Sequence, residues 1–298
     1  MRDGVFTRRA ALRAGMGALG IGALGAGALA AGVETRVLPG RGRLDHALGL
    51  DGTPGRVPTV AGVPVTSGTF ASKAMKTTLG YSIARPATAG PVRVAVVLHG
   101  RGGDHRGAFD EFGMDRFLAQ AIDDGVPPFA LASIDGGDSS YYHRRADGTD
   151  SGAAILDEFL PLLQRQGLDT GRVAFQGTSM GGYGAILLAA RHGAARTAAV
   201  GAQGPAIFAS AADTAAGAYD SAEDFDANDV MRMTAQLQGI PIRVDIGTDD
   251  PFYPTVERFV DAFSPPLEHS YVPGGHDNGV WLRSMGTQVA FIGRHLAA

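Results

Sequence analysis

The chain has 298 residues, 45% of them hydrophobic and 19% charged, which supplies one sizeable core and argues against global disorder. Its formal net charge of −4 leaves no basic footprint, so no nucleic-acid partner is expected. It has no cysteine, which excludes disulfides, thiolate nucleophiles and cysteine metal sites together.

The first 33 residues read as a targeting segment rather than as part of a fold. Arg8 and Arg9 are followed by Leu12 and Arg13, and then by a charge-free Ala/Gly/Leu stretch from Ala14 to Val33. The pattern resembles a twin-arginine export signal, with Ala28-Leu29-Ala30 as a small-x-small cleavage site. It implies the twin-arginine export machinery as a partner and an extracellular or cell-envelope destination. Once the signal is cleaved, no stable membrane association is expected; a retained N-terminal anchor is the other reading. Residues 34–70 are rich in proline and glycine and read as a linker or a surface arm. The globular domain is expected over residues 71–298.

Within that domain short apolar runs alternate with segments of helix length. Strands are expected at Thr77–Ala84, Val92–Leu98, Phe129–Ile134, Arg172–Phe175, Ile240–Ile246 and Leu267–Val272, with a weaker one at Ala198–Ala202. Helices are expected near 109–124, 151–166, 180–192, 226–238, 254–263 and 278–296. Near-continuous β-branched runs such as VRVAVVL suit strands buried on both faces. The alternation implies βαβ units, a mainly parallel central sheet with helices on both faces, and ligand sites at the carboxyl ends of the strands.

The loops at those ends carry the reactive residues. Gly177-Thr178-Ser179-Met180-Gly181 is a G-x-S-x-G pattern between an apolar strand and a helix, where a tight turn exposes a serine oxygen. In a chain with 44 glycines the bare pattern is weak evidence, and its strand–turn–helix context carries more. A serine nucleophile needs a base and a carboxylate to orient it. His276, in the glycine loop after the last strand, is the best placed of the eight histidines. His192 ends a helix, where a cation would suit the helix dipole. Asp249 and Asp250 both follow the strand IRVDI, so the carboxylate is one of the two. Serine, aspartate and histidine in this chain order on three such loops are a stronger signal than any one motif. The glycine turn HGRGGD after the early strand offers an oxyanion hole from the N–H groups of Arg101 and Met180. The loop at 135–145 should overhang the cleft, with Asp138, Tyr141 and Tyr142 as candidate substrate contacts. The segment 204–233 is a candidate lid, and Trp281 is expected to anchor the last helix.

LHGRGGD, GTSMGGYGA, DIGTDDPFY and PGGHDNGVW resemble the esterase branch of the α/β-hydrolases. That branch includes S-formylglutathione hydrolase (esterase D), feruloyl and acetyl-xylan esterases, and secreted mycolyltransferases. The resemblance covers about residues 70–298 and implies the α/β-hydrolase fold. It also implies ester hydrolysis through an acyl-enzyme with no metal or organic cofactor, and it selects Asp250 as the acid. The substrate expected is a small-molecule or glycan ester. Two other readings stand: acyl transfer to a sugar or cell-envelope acceptor, and a non-catalytic binding protein on the same fold.

Overall fold

The structure, a computed structural model, describes Gly49 and residues 52–298, of which Thr53–Ala298 form one compact unit. The expected export segment and the rest of residues 34–51 lie outside the described residues. Residues 53–64 contain no helix or strand and lie across the domain surface. Gly55 N–H donates to the Gly279 carbonyl (2.8 Å), and Val63 N–H to that of Asp115 (3.2 Å).

Among the described residues eight strands form one sheet: β1 (Val65–Ser72), β2 (Thr77–Ala84), β3 (Arg93–Leu98), β4 (Ala130–Ile134), β5 (Asp169–Thr178), β6 (Thr197–Gln203), β7 (Ile242–Gly247) and β8 (Glu268–Val272). Their spatial order is β1-β2-β4-β3-β5-β6-β7-β8. β1 pairs antiparallel with β2 and β2 with β4, and all later pairs are parallel. The helices are α1 (Gly107–Asp110), α2 (Met114–Asp123), the helical stretch 151–165 (α3), α4 (Met180–His192), α5 (Ala222–Asn228), α6 (Tyr253–Asp261) and α7 (Asn278–Ala297). This is the α/β-hydrolase arrangement.

The apolar runs are divided by the pleat. Val94, Val96 and Leu98 of β3 enter the core beneath α3 and α4, whereas Ala95 and Val97 face α2 and α7. A strand that must be apolar on both sides shows no alternation, which is how VRVAVVL reads.

Two differences from the sequence reading have physical causes. The sheet begins at Val65, inside the stretch read as an arm, because β1 is an edge strand with one open face and lacks a continuous apolar run. Glu158 of α3 fixes the following turn by accepting hydrogen bonds from Lys73 N–H (3.0 Å) and Ala74 N–H (3.1 Å). The second difference is the helix expected at 226–238. It is replaced by α5 and a short 3-10 turn at Val230–Arg232, with Asp229 accepting from the Met231 amide (2.9 Å) and so breaking the helix.

His192 is also not the cation that its helix-terminal position suggested. It is buried edge-on to Phe175 (5.8 Å), and burial, aided by Arg196, lowers its pKa from 6.5 to about 4. An imidazole neutral in the folded state and titrating normally when unfolded contributes stability above pH 6.5 that is lost as pH falls toward 4. His192→Leu should therefore show a shallower loss of unfolding free energy than the wild type between about pH 7 and pH 5. The difference has a ceiling of about 1.4 kcal/mol per pH unit for one proton. Urea unfolding of both proteins across that range measures it, and parallel curves would contradict the assignment.

Candidate active site

The turn between β5 and α4 is tight because the backbone of β3 and that of the first turn of α4 crowd it. A Cβ on Gly181 would overlap the Leu98 carbonyl of β3, and one on Gly177 would overlap the Gly181 backbone. With side chains barred at both positions, the strain falls on Ser179, which adopts φ 55° and ψ −119°. A non-glycine residue at that φ is held by its surroundings: Ser179 N–H donates to the Gln203 carbonyl (2.9 Å), and its own carbonyl accepts from Ala206 N–H (3.0 Å).

The serine hydroxyl donates to His276 Nε2 (2.8 Å), and His276 Nδ1–H donates to Asp250 Oδ2 (2.6 Å). The three groups so aligned come from the ends of β5, β7 and β8. The Asp250 side chain is sealed from solvent, and its second oxygen accepts from the Phe252 amide (2.9 Å). A carboxylate fixed at both oxygens holds the imidazole in the tautomer that leaves Nε2 free to accept. Asp249 points elsewhere: its amide donates to the Gly274 carbonyl (2.9 Å), tying the acid loop to the glycine loop that presents His276. The choice that the residues alone left open is thus made by geometry.

Gly204 (φ +48°) backs the pair. A Cβ there would come within 3.0 Å of Asp250 Oδ2 and 2.8 Å of Trp281 Nε1. The imidazole lies between two rings, Trp281 (5.0 Å) and Phe252 (5.3 Å), both edge-on. Trp281 therefore borders the reacting groups, beyond the anchoring role expected from sequence.

Gly100 packs against Ser179, its position for a Cβ lying 3.6 Å from Ser179 Cβ. This brings the β3 loop, with the Arg101 amide, beside the first turn of α4, where the Met180 amide has no intrahelical acceptor. The Arg101 side chain turns away and donates to the Ala216 carbonyl (3.0 Å). His99 braces this loop. Its Nε2 accepts from Gly136 N–H (2.8 Å), which requires a neutral imidazole, and Nδ1–H donates to the Gly100 carbonyl (2.7 Å); burial also lowers its pKa.

The three candidate substrate contacts divide. Tyr142 is fully buried, and its hydroxyl donates to the His99 carbonyl (2.9 Å). Burial raises its pKa well above 10, which keeps that donor in place. It is thus a support of the β3 loop rather than a substrate contact, and it fits because Gly136 and Gly184 leave its ring room that a Cβ would take. Tyr141 is likewise removed from the cleft, packed among Tyr183, Phe208 and Tyr219. Asp138 is exposed, and its carbonyl accepts from Gly102 N–H (2.9 Å) on the β3 loop. The stretch read as a lid is anchored in the core through Ala206, Ile207, Phe208, Ala218 and Phe225, with residues 209–217 mostly exposed between them.

Beside Ser179 and His276 opens a cavity of about 400 Å³, between the sheet, α1 and α7. Among the described residues no group of three or more histidine or acidic side chains is placed to hold a metal.

Strand order, strained serine and aligned base and acid define an α/β-hydrolase of the serine-hydrolase class. Residues 72–292 match the family described as "Putative esterase", and the chain belongs to that family. No curated protein matches the chain in sequence. Solved structures share its fold. A ferulic acid esterase superposes with a TM-score of 0.70 at 19% identity, covering 79% of this chain and 100% of the other. The S-formylglutathione hydrolase of Staphylococcus aureus gives 0.63 at 19% identity over 77% and 98%. A ferulic acid esterase of the anaerobic fungus Anaeromyces mucronatus gives 0.64 at 17% over 81% and 94%.

The two neighbouring aspartates provide a direct check of the geometry. Asp250→Asn should lower kcat by about 10³- to 10⁴-fold, by analogy with loss of the orienting carboxylate in other triads. Asp249→Asn should retain most of kcat, and a loss as large as that of Asp250→Asn would move the acid role.

Proposed function

We propose that this esterase hydrolyses a carboxylic ester through an acyl-enzyme on Ser179. The observation that carries the reading is the unbroken hydrogen-bond chain from Ser179 Oγ through His276 to buried Asp250. As Ser179 Oγ attacks the carbonyl carbon, its proton passes to His276 Nε2, and the imidazolium is stabilised by Asp250. The carbonyl oxygen gains negative charge and faces the amides of Arg101 and Met180. The tetrahedral intermediate collapses, and His276 returns the proton to the departing alcohol. Water then repeats the sequence on the acyl-enzyme, with His276 as base, and frees the acid and Ser179.

Export of the folded enzyme by the twin-arginine route belongs to the same proposal and is supported by Arg8, Arg9, Leu12 and the apolar stretch after them. Ferulic acid esters and S-formylglutathione, a thioester, are what the structural relatives are named for; the substrate class proposed for this chain is carboxylic esters.

A panel of chromogenic esters of graded chain length, with Ser179→Ala as control, tests the nucleophile. Ser179→Ala should lose at least about 10³-fold in kcat, whereas equal rates in both proteins would remove Ser179 from the role. Including sugar acceptors shows whether the acyl group passes to water or to a hydroxyl. Replacing both Arg8 and Arg9 with lysine should retain the protein inside the cell, as fractionation would reveal.

A further inference from the structure

The cavity beside Ser179 has a polar floor where the fold leads one to expect an apolar one. Its lining includes Val97, Phe112, Met114 and Met285, which suit a hydrocarbon chain, together with the polar or charged Arg101, Asp104, Glu111 and Asn278. The floor lies on the sheet face that packs on α2 and α7, where the neighbouring strand residues are Ala95, Leu131, Ala174 and Ala199. Among these sit Ser133 of β4 and Gln176 of β5, both in register with Val97 of β3 between them, and Gln203 of β6. All three are at least 98% buried. Ser133 Oγ, Gln176 Oε1 and Gln203 Oε1 have no hydrogen-bond partner.

A buried polar atom left unpaired is costly, so three around one cavity need an explanation. The other ends of the two glutamines show that they are held in place. Gln203 Nε2 donates to the Trp281 carbonyl (2.7 Å) and to Ser284 Oγ (2.8 Å), which fixes Oε1 as the free end. Gln176 Nε2 faces the Met285 sulfur (3.4 Å). The floor therefore presents two amide oxygens that can only accept and a hydroxyl that can do either. A hydrocarbon terminus would leave all of them unsatisfied. A hydroxyl can donate to a glutamine oxygen and accept from Ser133.

We propose that this cavity is a specificity subsite for an ester whose chain, on the acyl or the alcohol side, ends in a hydroxyl group, with Ser133, Gln176 and Gln203 as its recognition groups. The proposal rests on the ester-hydrolase reading for the identity of the ligand. Gln176 lies three residues before Ser179 on the same chain, which at roughly 3.3 Å per residue puts the floor about 7–10 Å below the nucleophile. That depth suits a chain of several carbons. A site built to pair a substrate hydroxyl discriminates strongly against an analogue without one, because its own polar groups are then left bare.

Trp281 is the only tryptophan of the chain and forms part of the cavity wall, so its fluorescence reports occupancy without any turnover. In Ser179→Ala, which binds but should not hydrolyse, two matched pairs of esters would be titrated. Methyl ω-hydroxyhexanoate against methyl heptanoate places the hydroxyl on the acyl side. The ω-hydroxyhexyl ester of acetic acid against heptyl acetate places it on the alcohol side. In at least one pair the hydroxylated member should bind about tenfold or more tightly, and the pair that responds names the side that enters the cavity. Ser133→Ala and Gln176→Met should each shrink that preference while leaving the affinity for the hydrocarbon member within about twofold. Should Gln176→Met fail to fold, Ser133→Ala decides alone. Equal or weaker binding of the hydroxylated member in both pairs would overturn the proposal and leave the floor as a site for bound water. Turnover of the esters by Ser179→Ala at the wild-type rate would instead defeat the nucleophile assignment, and the binding comparison would still stand.

Discussion

The first turn of α4 lies so close to the carboxyl end of β3 that no side chain fits between them. Gly181 meets the Leu98 carbonyl and Gly177 meets Gly181, so backbone touches backbone. The rest of the site follows from that contact. It forces Ser179 into a positive φ, which lifts Oγ away from the sheet. It sets the Met180 amide beside the β3 loop, and so fixes where an oxyanion would lie relative to Arg101. Because β6 is the next strand over, the same turn reaches the Gln203 carbonyl and Ala206, which places Gly204 behind the acid–base pair. The site thus stands on close backbone packing, with hydrogen bonds adding direction.

Strands buried on both faces announce themselves as apolar runs, and β3, β4 and β7 were legible for that reason. The reactive loops were legible too, since each follows such a strand and the order serine, aspartate, histidine survives without knowledge of distance. What escaped were features whose cause lies elsewhere in the chain. The edge strand β1, VTSGTFAS, is small and half-exposed; its pairing is fixed by β2 and by Glu158, some 85 residues on. Tyr142 stands in a run of polar loop residues and looks like a surface contact. Its burial depends on slots left by Gly136 and Gly184, the second of them on a different element. A glycine inside the apolar helix α4 was the one available clue that something large packs there. His192 was misread for a similar reason, because its helix-terminal position is local whereas the burial against Phe175 that keeps it neutral is not.

The two sides of the catalytic line are built differently, and this bears on what the enzyme can select. On one side Phe252 meets His276, Phe208 meets Phe252, and Tyr141, Tyr183 and Tyr219 close up behind. Ala206, Ile207, Phe208 and Ala218 supply part of this wall and belong to the core, so that side is filled. On the other side α1 and α7 stand away from the sheet and leave the cavity. Parts of a substrate remote from the ester bond can therefore find contacts mainly there. Such contacts are what an enzyme uses to align a scissile bond, since binding energy gained away from the reaction can hold the carbonyl against nucleophile and oxyanion donors. The indole of Trp281 joins the two functions physically. Its ring borders His276 on one edge and the cavity on another, so what fills the cavity also determines the packing against the base.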